Sequence, residues 1–125
     1  PENNGSLVLL VRLGTRRVLL TGDIESAAEV DLLSRGSGLS ADVLKVAHHG
    51  SSDDGLADEL SVLRPRVAVV SVGAHNDYNH PRADTLAALR ERPGLAVYRT
   101  DEHGRVVLES DGRALTIRTE RGGVP

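Results

Sequence analysis

The chain has 125 residues, 39% of them hydrophobic, a net charge of -3 and no Cys. That length suits one domain or half of a larger one, and the lack of Cys excludes a disulfide framework and thiolate metal sites. The acidic balance, with two Tyr and no Phe or Trp, argues against a nucleic-acid binder acting through bulk positive charge and stacked bases.

With no Met either, Leu, Val and Ala must fill the core. No apolar run approaches a membrane span and no signal peptide is visible, so the chain itself is expected to be soluble. It opens on Pro1 rather than Met and is expected to be a piece of a longer protein.

In chain order, residues 6–13 (SLVLLVRL) form a continuous apolar run, the pattern of a buried strand. A turn at Gly14, Thr15 and Arg16 leads to a second strand over residues 17–21, giving a hairpin. Gly22 and Asp23 end it. Ser26 suits an N-cap, and Ala27, Val30 and Leu33 follow at helical spacing until Gly36 and Gly38. A third strand, residues 41–47, runs straight into His48, His49, Gly50, Ser51 and Ser52. A helix over 56–63 stops before Pro65, and residues 66–72 read as a buried strand. The polar loop 73–80 leads to a helix from Pro81 to about Arg92, Pro being favoured at a first helical position. Strands over 95–100, 105–110 and 113–119 complete the chain, the last two joined by Asp111 and Gly112, a hairpin signal. The order β-β-α-β-α-β-α-β-β-β indicates an α/β layer, with the terminal hairpins adding strands to the sheet edges.

The residues able to carry chemistry share one placement. Asp23, the His48–His49 pair, Ser71 and the loop from Asn76 to His80 all follow the C-terminal end of a predicted strand, where ligands collect in α/β folds. Asp23 suits a carboxylate bridging two divalent ions, and equally a helix cap. His48 and His49 point to opposite sides if the strand continues, and can converge only if the chain bends. Imidazole serves as a metal ligand and as an acid or base near neutrality. His80, before a helix, suits a ligand or a contact to a substrate phosphate. His75 and His103 read as loop and turn residues, Asp53 and Asp54 as solvated surface. Asn3 and Asn4 precede the first strand and are expected near the same edge or in a simple turn.

Together, Asn3-x-x-Ser6, the run Leu19 to Asp23 (LLTGD), the run Asp42 to Ser51 (DVLKVAHHGS), Ser71-Val72-Gly73, Asn76-x-Tyr78-x-His80-Pro81 and Arg99-Thr100-Asp101 resemble the C-terminal part of the metallo-β-lactamase-like domain of ComEC/Rec2 competence proteins. The resemblance spans nearly the whole chain. It implies an αββα sandwich of which residues 1–120 form the C-terminal half, a mixed sheet with helices on one face, followed by a frayed tail over 121–125. It implies a site for two divalent ions, Mn2+ or Zn2+, and a nuclease that degrades the DNA strand not taken into the cell. Asp23 matches the bridging carboxylate and His49 a metal ligand. His48 lies beside the substrate phosphate, and His80 is a substrate or proton-transfer residue, so both are assigned catalytic roles. In a competing match to other branches the last His ligand lies near His80 instead. Ser51, Asn76 and Tyr78 fall beside these and are assigned to substrate contact.

The family's His-x-His-x-Asp-His motif is absent, and Asn3 or Asn4 stands where other branches place a further His. Most ligands must then come from an N-terminal half of the same domain. The implied partners are that half, single-stranded DNA as substrate, and a parent membrane channel in a bacterial inner membrane, on either side of it. Alone, the chain is expected to bind metal weakly, to show little catalysis, and to dimerise through an uncovered sheet face. Another phosphodiesterase of the same fold, such as a phosphocholine esterase, and a non-catalytic binding or structural module are the alternatives.

Overall fold

A computed structural model describes residues 2–35 and 39–122. In chain order it contains β1 (Leu9–Leu13), β2 (Arg16–Leu20), α1 (Ser26–Ser34), β3 (Val43–Lys45), α2 (Leu56–Leu63), β4 (Val67–Val70), α3 (Ala83–Arg90), β5 (Ala96–Arg99), α4 (Thr100–His103), β6 (Val106–Ser110) and β7 (Leu115–Thr119). Short 3-10 turns cover Glu2–Gly5 and Ala47–Gly50. The fold class is α/β, as the alternation of elements predicts. No helix of the described residues is long and apolar enough to cross a membrane.

Five strands form one sheet in the order β1-β2-β3-β4-β5. β1 is antiparallel to β2, while β2 to β5 run parallel. Register sets Leu19, Leu44, Ala68 and Val97 in one row across the sheet. These residues pack in one cluster with Leu56, Leu60 and Leu63 of α2 and Leu89 of α3. Each such leucine removed from water contributes about 1.5–3 kcal/mol. The helices thus lie on one sheet face, and the four parallel strands end along one edge.

The apolar run expected as a buried strand is instead the exposed edge strand. Leu9, Val11 and Leu13 are 45–54% exposed, because β1 is the last strand of the sheet and the β6–β7 hairpin only borders Val11 and Leu13. The second hairpin also differs from expectation. β6 and β7 form a separate two-stranded sheet rather than extending the main one. Thr15 N–H donates to the Gly112 carbonyl at 2.8 Å, and Arg16 Nε to the Arg113 carbonyl at 2.5 Å, so the two hairpin turns interlock. A Cβ at Gly14 would stand 2.5 Å from the Gly112 oxygen, and its φ of +57° also favours glycine.

Helix boundaries shift from the sequence reading. Glu25, not Ser26, is the N-cap of α1. Ala27 and Val30 face solvent, while Ala28, Glu29 and Leu32 turn inward, because Leu32 packs against the core and Glu29 lies one turn before it on the same face. Gly36 and Gly38, expected to end α1, lie outside the described residues. α3 begins at Ala83 with Arg82 as its N-cap, two residues after Pro81. Of the tail expected to fray, Arg121 is tied to α4, its N–H donating to the His103 carbonyl at 2.8 Å. Residues 123–125 lie outside the described residues.

Candidate metal centre

β2 delivers Asp23 to the C-terminal edge through a sharp bend. Gly22 sits at φ +60°, and a Cβ there would press on Ser6 and the Leu7 carbonyl at 3.0 and 3.1 Å. Ser6 Oγ accepts from the Asp23 N–H at 3.3 Å, and Asn4 Oδ1 from the Glu25 N–H at 2.9 Å. The segment before β1 therefore does lie at this edge, where it holds the backbone on both sides of Ile24. Thr21 Oγ1 donates to the Lys45 carbonyl at 2.6 Å, locking the ends of β2 and β3 together.

After β3 the chain bends rather than continuing extended. His48 and His49 occupy left-handed backbone at φ +51° and +54°, followed by Gly50 at +81°. Two consecutive non-glycine residues in that region carry on the order of 1–3 kcal/mol of strain each, and persist only where surroundings fix them. Here they are fixed. His48 N–H donates to the Gly22 carbonyl at 3.0 Å, Ser51 N–H to the His48 carbonyl at 3.0 Å and Arg82 N–H to the Gly50 carbonyl at 2.9 Å. Neighbouring imidazoles can therefore serve one site.

His49 is aimed from both ends. Its Nδ1 lies 2.7 Å from the Ser71 carbonyl. A carbonyl only accepts, so Nδ1 carries a proton, and Nε2 is left as the nitrogen that can face Asp23 or a metal. Nε2 stands 3.2 Å from Asp23 Oδ1. The Ser71 carbonyl is itself steadied by the next residue, since Thr100 Oγ1 accepts from the Val72 N–H at 2.7 Å and donates to the Val72 carbonyl at 2.8 Å.

His48 Nδ1 lies 3.8 Å from Glu25 Oε1, and its ring meets that of His80 edge-on at 5.8 Å. Tyr78, largely exposed, stacks on His80 at 5.9 Å. Asn76 holds His80 by its backbone: Oδ1 accepts from the His80 N–H at 2.9 Å, and Nδ2 donates to the His80 and Gly73 carbonyls at 2.7 and 3.0 Å. Burial, then the charges of His48, Arg82 and His49, hold the His80 imidazole below its ordinary value. It is thus biased toward the neutral form. Ser51 joins His48, Asn4, Glu25 and Ser26 around a cavity of about 370 Å³ beside the site.

All seven sequence-derived site residues, Asp23, His48, His49, Ser51, Asn76, Tyr78 and His80, thus stand in the loops at this end of the sheet. Asn76 faces its own loop. Asp23 makes no cap of α1, whose N-cap lacks a side-chain bond. Lys45 was not singled out by sequence. Its Nζ donates to the Gly22 carbonyl at 3.0 Å, and burial, opposed by Asp23, lowers its pKa. Its place at the last position of β3, opposite Leu20, was the available signal. His103, read as a turn residue, is buried in α4 with Nδ1 on the Arg99 N–H at 3.0 Å.

The Asp23–His49 pair fits a divalent ion. Two donors each about 2.1 Å from one ion at tetrahedral or octahedral angles lie about 3.0–3.4 Å apart, which brackets the 3.2 Å observed. A carbonyl behind the far imidazole nitrogen is the usual support of a metal-bound His. Two donors are fewer than a catalytic site needs, and among the described residues no third His or carboxylate joins this pair in a ligand-sized group.

No family model matches the chain, and no solved structure does. Curated relatives do. The chain is 38% identical to ComE operon protein 3 of Bacillus subtilis over 93% of its own length and 15% of the relative's. It is 34% identical to competence protein ComA of Neisseria gonorrhoeae over 98% and 16%, and 39% identical to recombination protein 2 of Haemophilus influenzae over 96% and 15%. The chain thus spans about a sixth of the length of these relatives. Over the stretch it spans, it belongs to the ComEC/Rec2 family of competence proteins.

Proposed function

We propose that this chain supplies half of a divalent-metal centre that hydrolyses phosphodiester bonds, and that in the complete protein it degrades one strand of incoming DNA. The observation that carries this reading is the double aim of His49, with Nδ1 on the Ser71 carbonyl and Nε2 on Asp23. When bound, Mn2+ or Zn2+ ions supply Lewis-acid polarisation and a water of lowered pKa. Asp23 and His49 hold them. His48, beside the cavity, is placed to neutralise a phosphate oxygen. His80, biased toward the neutral base, is assigned to accept and pass on a proton beside the substrate. Ser51 and Tyr78 flank the path of the strand, and Asn76 orients His80.

The remaining ligands are assigned to an N-terminal half of the same domain. The uncovered rows of Leu9, Val11, Leu13 and Leu20 give that half an apolar face to cover. In its absence the same face favours a dimer of this chain. The parent is read as a channel of the bacterial inner membrane.

The test uses the complete domain and single-stranded DNA with Mn2+. Asp23→Ala and His49→Ala are each expected to cut hydrolysis by about 100-fold or more while leaving the fold intact. Full activity in Asp23→Ala would remove the reading. Hydrolysis of small phosphodiesters but not of DNA would turn it toward a phosphocholine-type esterase.

A further inference from the structure

A second carboxylate cluster lies behind the site, on the helix side of the sheet. Glu29 of α1, Glu59 of α2 and Asp53 of the loop after Ser51 each offer an oxygen within 4.8 Å of the others. Glu29 and Glu59 are each 1% exposed, and their four buried carboxyl oxygens meet no N–H or hydroxyl donor, only one another and Asp53. The charges that act on these two are carboxylates: Glu59 and Asp53 on Glu29, and Asp53 on Glu59. Without a counter-charge such buried carboxyls must hold protons, whereas a cation satisfies them as carboxylates.

The backbone is shaped around them. Gly55 passes so close that a Cβ would stand 2.5 Å from Glu29 Oε2. Gly55 N–H and Ser26 Oγ hold Asp53 through its Oδ1, at 2.8 and 3.4 Å. Asp53 and Ser26 also line the 370 Å³ cavity that reaches His48 and Ser51, so the Asp53 side of the cluster borders that cavity.

We propose that Glu29, Asp53 and Glu59 bind one divalent cation of calcium's size, distinct from the Asp23–His49 centre. An all-oxygen set selects a hard cation. Two oxygens on one Ca2+ lie at most about 4.6–5.2 Å apart, against about 4.2 Å on Mg2+. All three oxygens lie within 4.8 Å of one another, and in a buried carboxylate cluster Ca2+, which takes an all-protein oxygen shell more readily than the water-retaining Mg2+, is the better match. The ion would clamp α1, which follows Asp23, to α2 and to the loop that follows His49. It would thus hold both strand-end segments in place from behind.

The test is calcium uptake by the chelator-stripped chain, read by equilibrium dialysis and by thermal unfolding near neutral pH. One calcium per chain and a Tm rise of about 5 °C or more at saturation are expected. Glu29→Gln and Glu59→Gln should abolish both effects. Asp53→Asn, at a half-buried position that folding tolerates more readily, should weaken uptake at least tenfold. Asp23→Ala and His49→Ala should leave calcium uptake unchanged, so failure here is separable from failure of the hydrolytic reading. Absence of uptake, or uptake lost in Asp23→Ala and kept in Glu59→Gln, overturns the proposal.

Discussion

The Nε2 of His49 stands 3.2 Å from Oδ1 of Asp23 because the opposite ring nitrogen is tied to the Ser71 carbonyl at 2.7 Å. That carbonyl is steadied by Thr100, whose hydroxyl both accepts from and donates to the backbone of Val72. The alignment of the candidate ligand thus rests on Thr100, the first residue of α4, as much as on β3.

Thr100→Val should therefore act at a distance. Losing both hydrogen bonds is expected to cost about 1–2 kcal/mol of stability. It should also weaken Mn2+ or Zn2+ binding in the complete domain by about tenfold, the scale of a lost supporting contact. Calorimetry and thermal unfolding check the two together. Lower stability with unchanged metal affinity would reduce Thr100 to a merely structural role.

Asn76→Ala separates positioning from metal binding. Its amide makes three hydrogen bonds within the loop, two of them to His80. With them gone, the His80 ring leaves its contact with His48. Turnover by the complete domain is expected to fall by about 10- to 100-fold, with metal affinity unchanged. A change in KM alone would return Asn76 to direct substrate contact.

The edge of the sheet was legible from sequence, since Asp23 and the His48–His49 pair each follow a short apolar strand and a turn signal. The direction of the two imidazoles was not. It depends on left-handed backbone held by Gly22 and Arg82, contacts from far along the chain. β1 misled because an apolar run shows that a strand is to be covered, and not what covers it. The Glu29–Glu59 pair was hidden for a related reason. A helical Glu reads as a solvated face, and only the packing of α1 on α2 turns both carboxylates inward. Asp53, read as surface for the same reason, joins them.

Gly50→Ala should damage the site without touching a ligand. At φ +81° any side chain is strained, and the new Cβ would stand 2.6 Å from Pro81 Cβ and 3.1 Å from its Cα. A loss of about 2 kcal/mol or more is expected, read as a lower unfolding midpoint in urea. Gly73→Ala is the control, because no atom lies within 4 Å of its added Cβ. Equal effects at both positions would show that the His48–Gly50 bend is not fixed by Pro81.

The stability of the calcium-free chain should fall as pH rises. Burial, the largest cause for both groups, lifts the Glu59 carboxyl to about 7 and that of Glu29 to about 10, from an ordinary 4.5. For Glu29 the neighbouring Asp53 and Glu59 add to the rise, while contact with Glu29 partly offsets it for Glu59. The folded chain therefore keeps protons that the unfolded chain releases at about 4.5, and protonation favours folding. This contribution is complete below that pH. It declines above it and is lost as pH passes through 7 and on toward 10. Urea unfolding at pH 5, 7 and 9 in chelator should show a falling midpoint, flattened in Glu29→Gln and Glu59→Gln. Saturating calcium should reverse the trend, because the ion binds the deprotonated carboxylates and gains affinity as pH rises. A calcium-free midpoint that rises from pH 5 to 9, with no response to either Gln substitution, would mean that these carboxyls are ionised and satisfied in the folded chain.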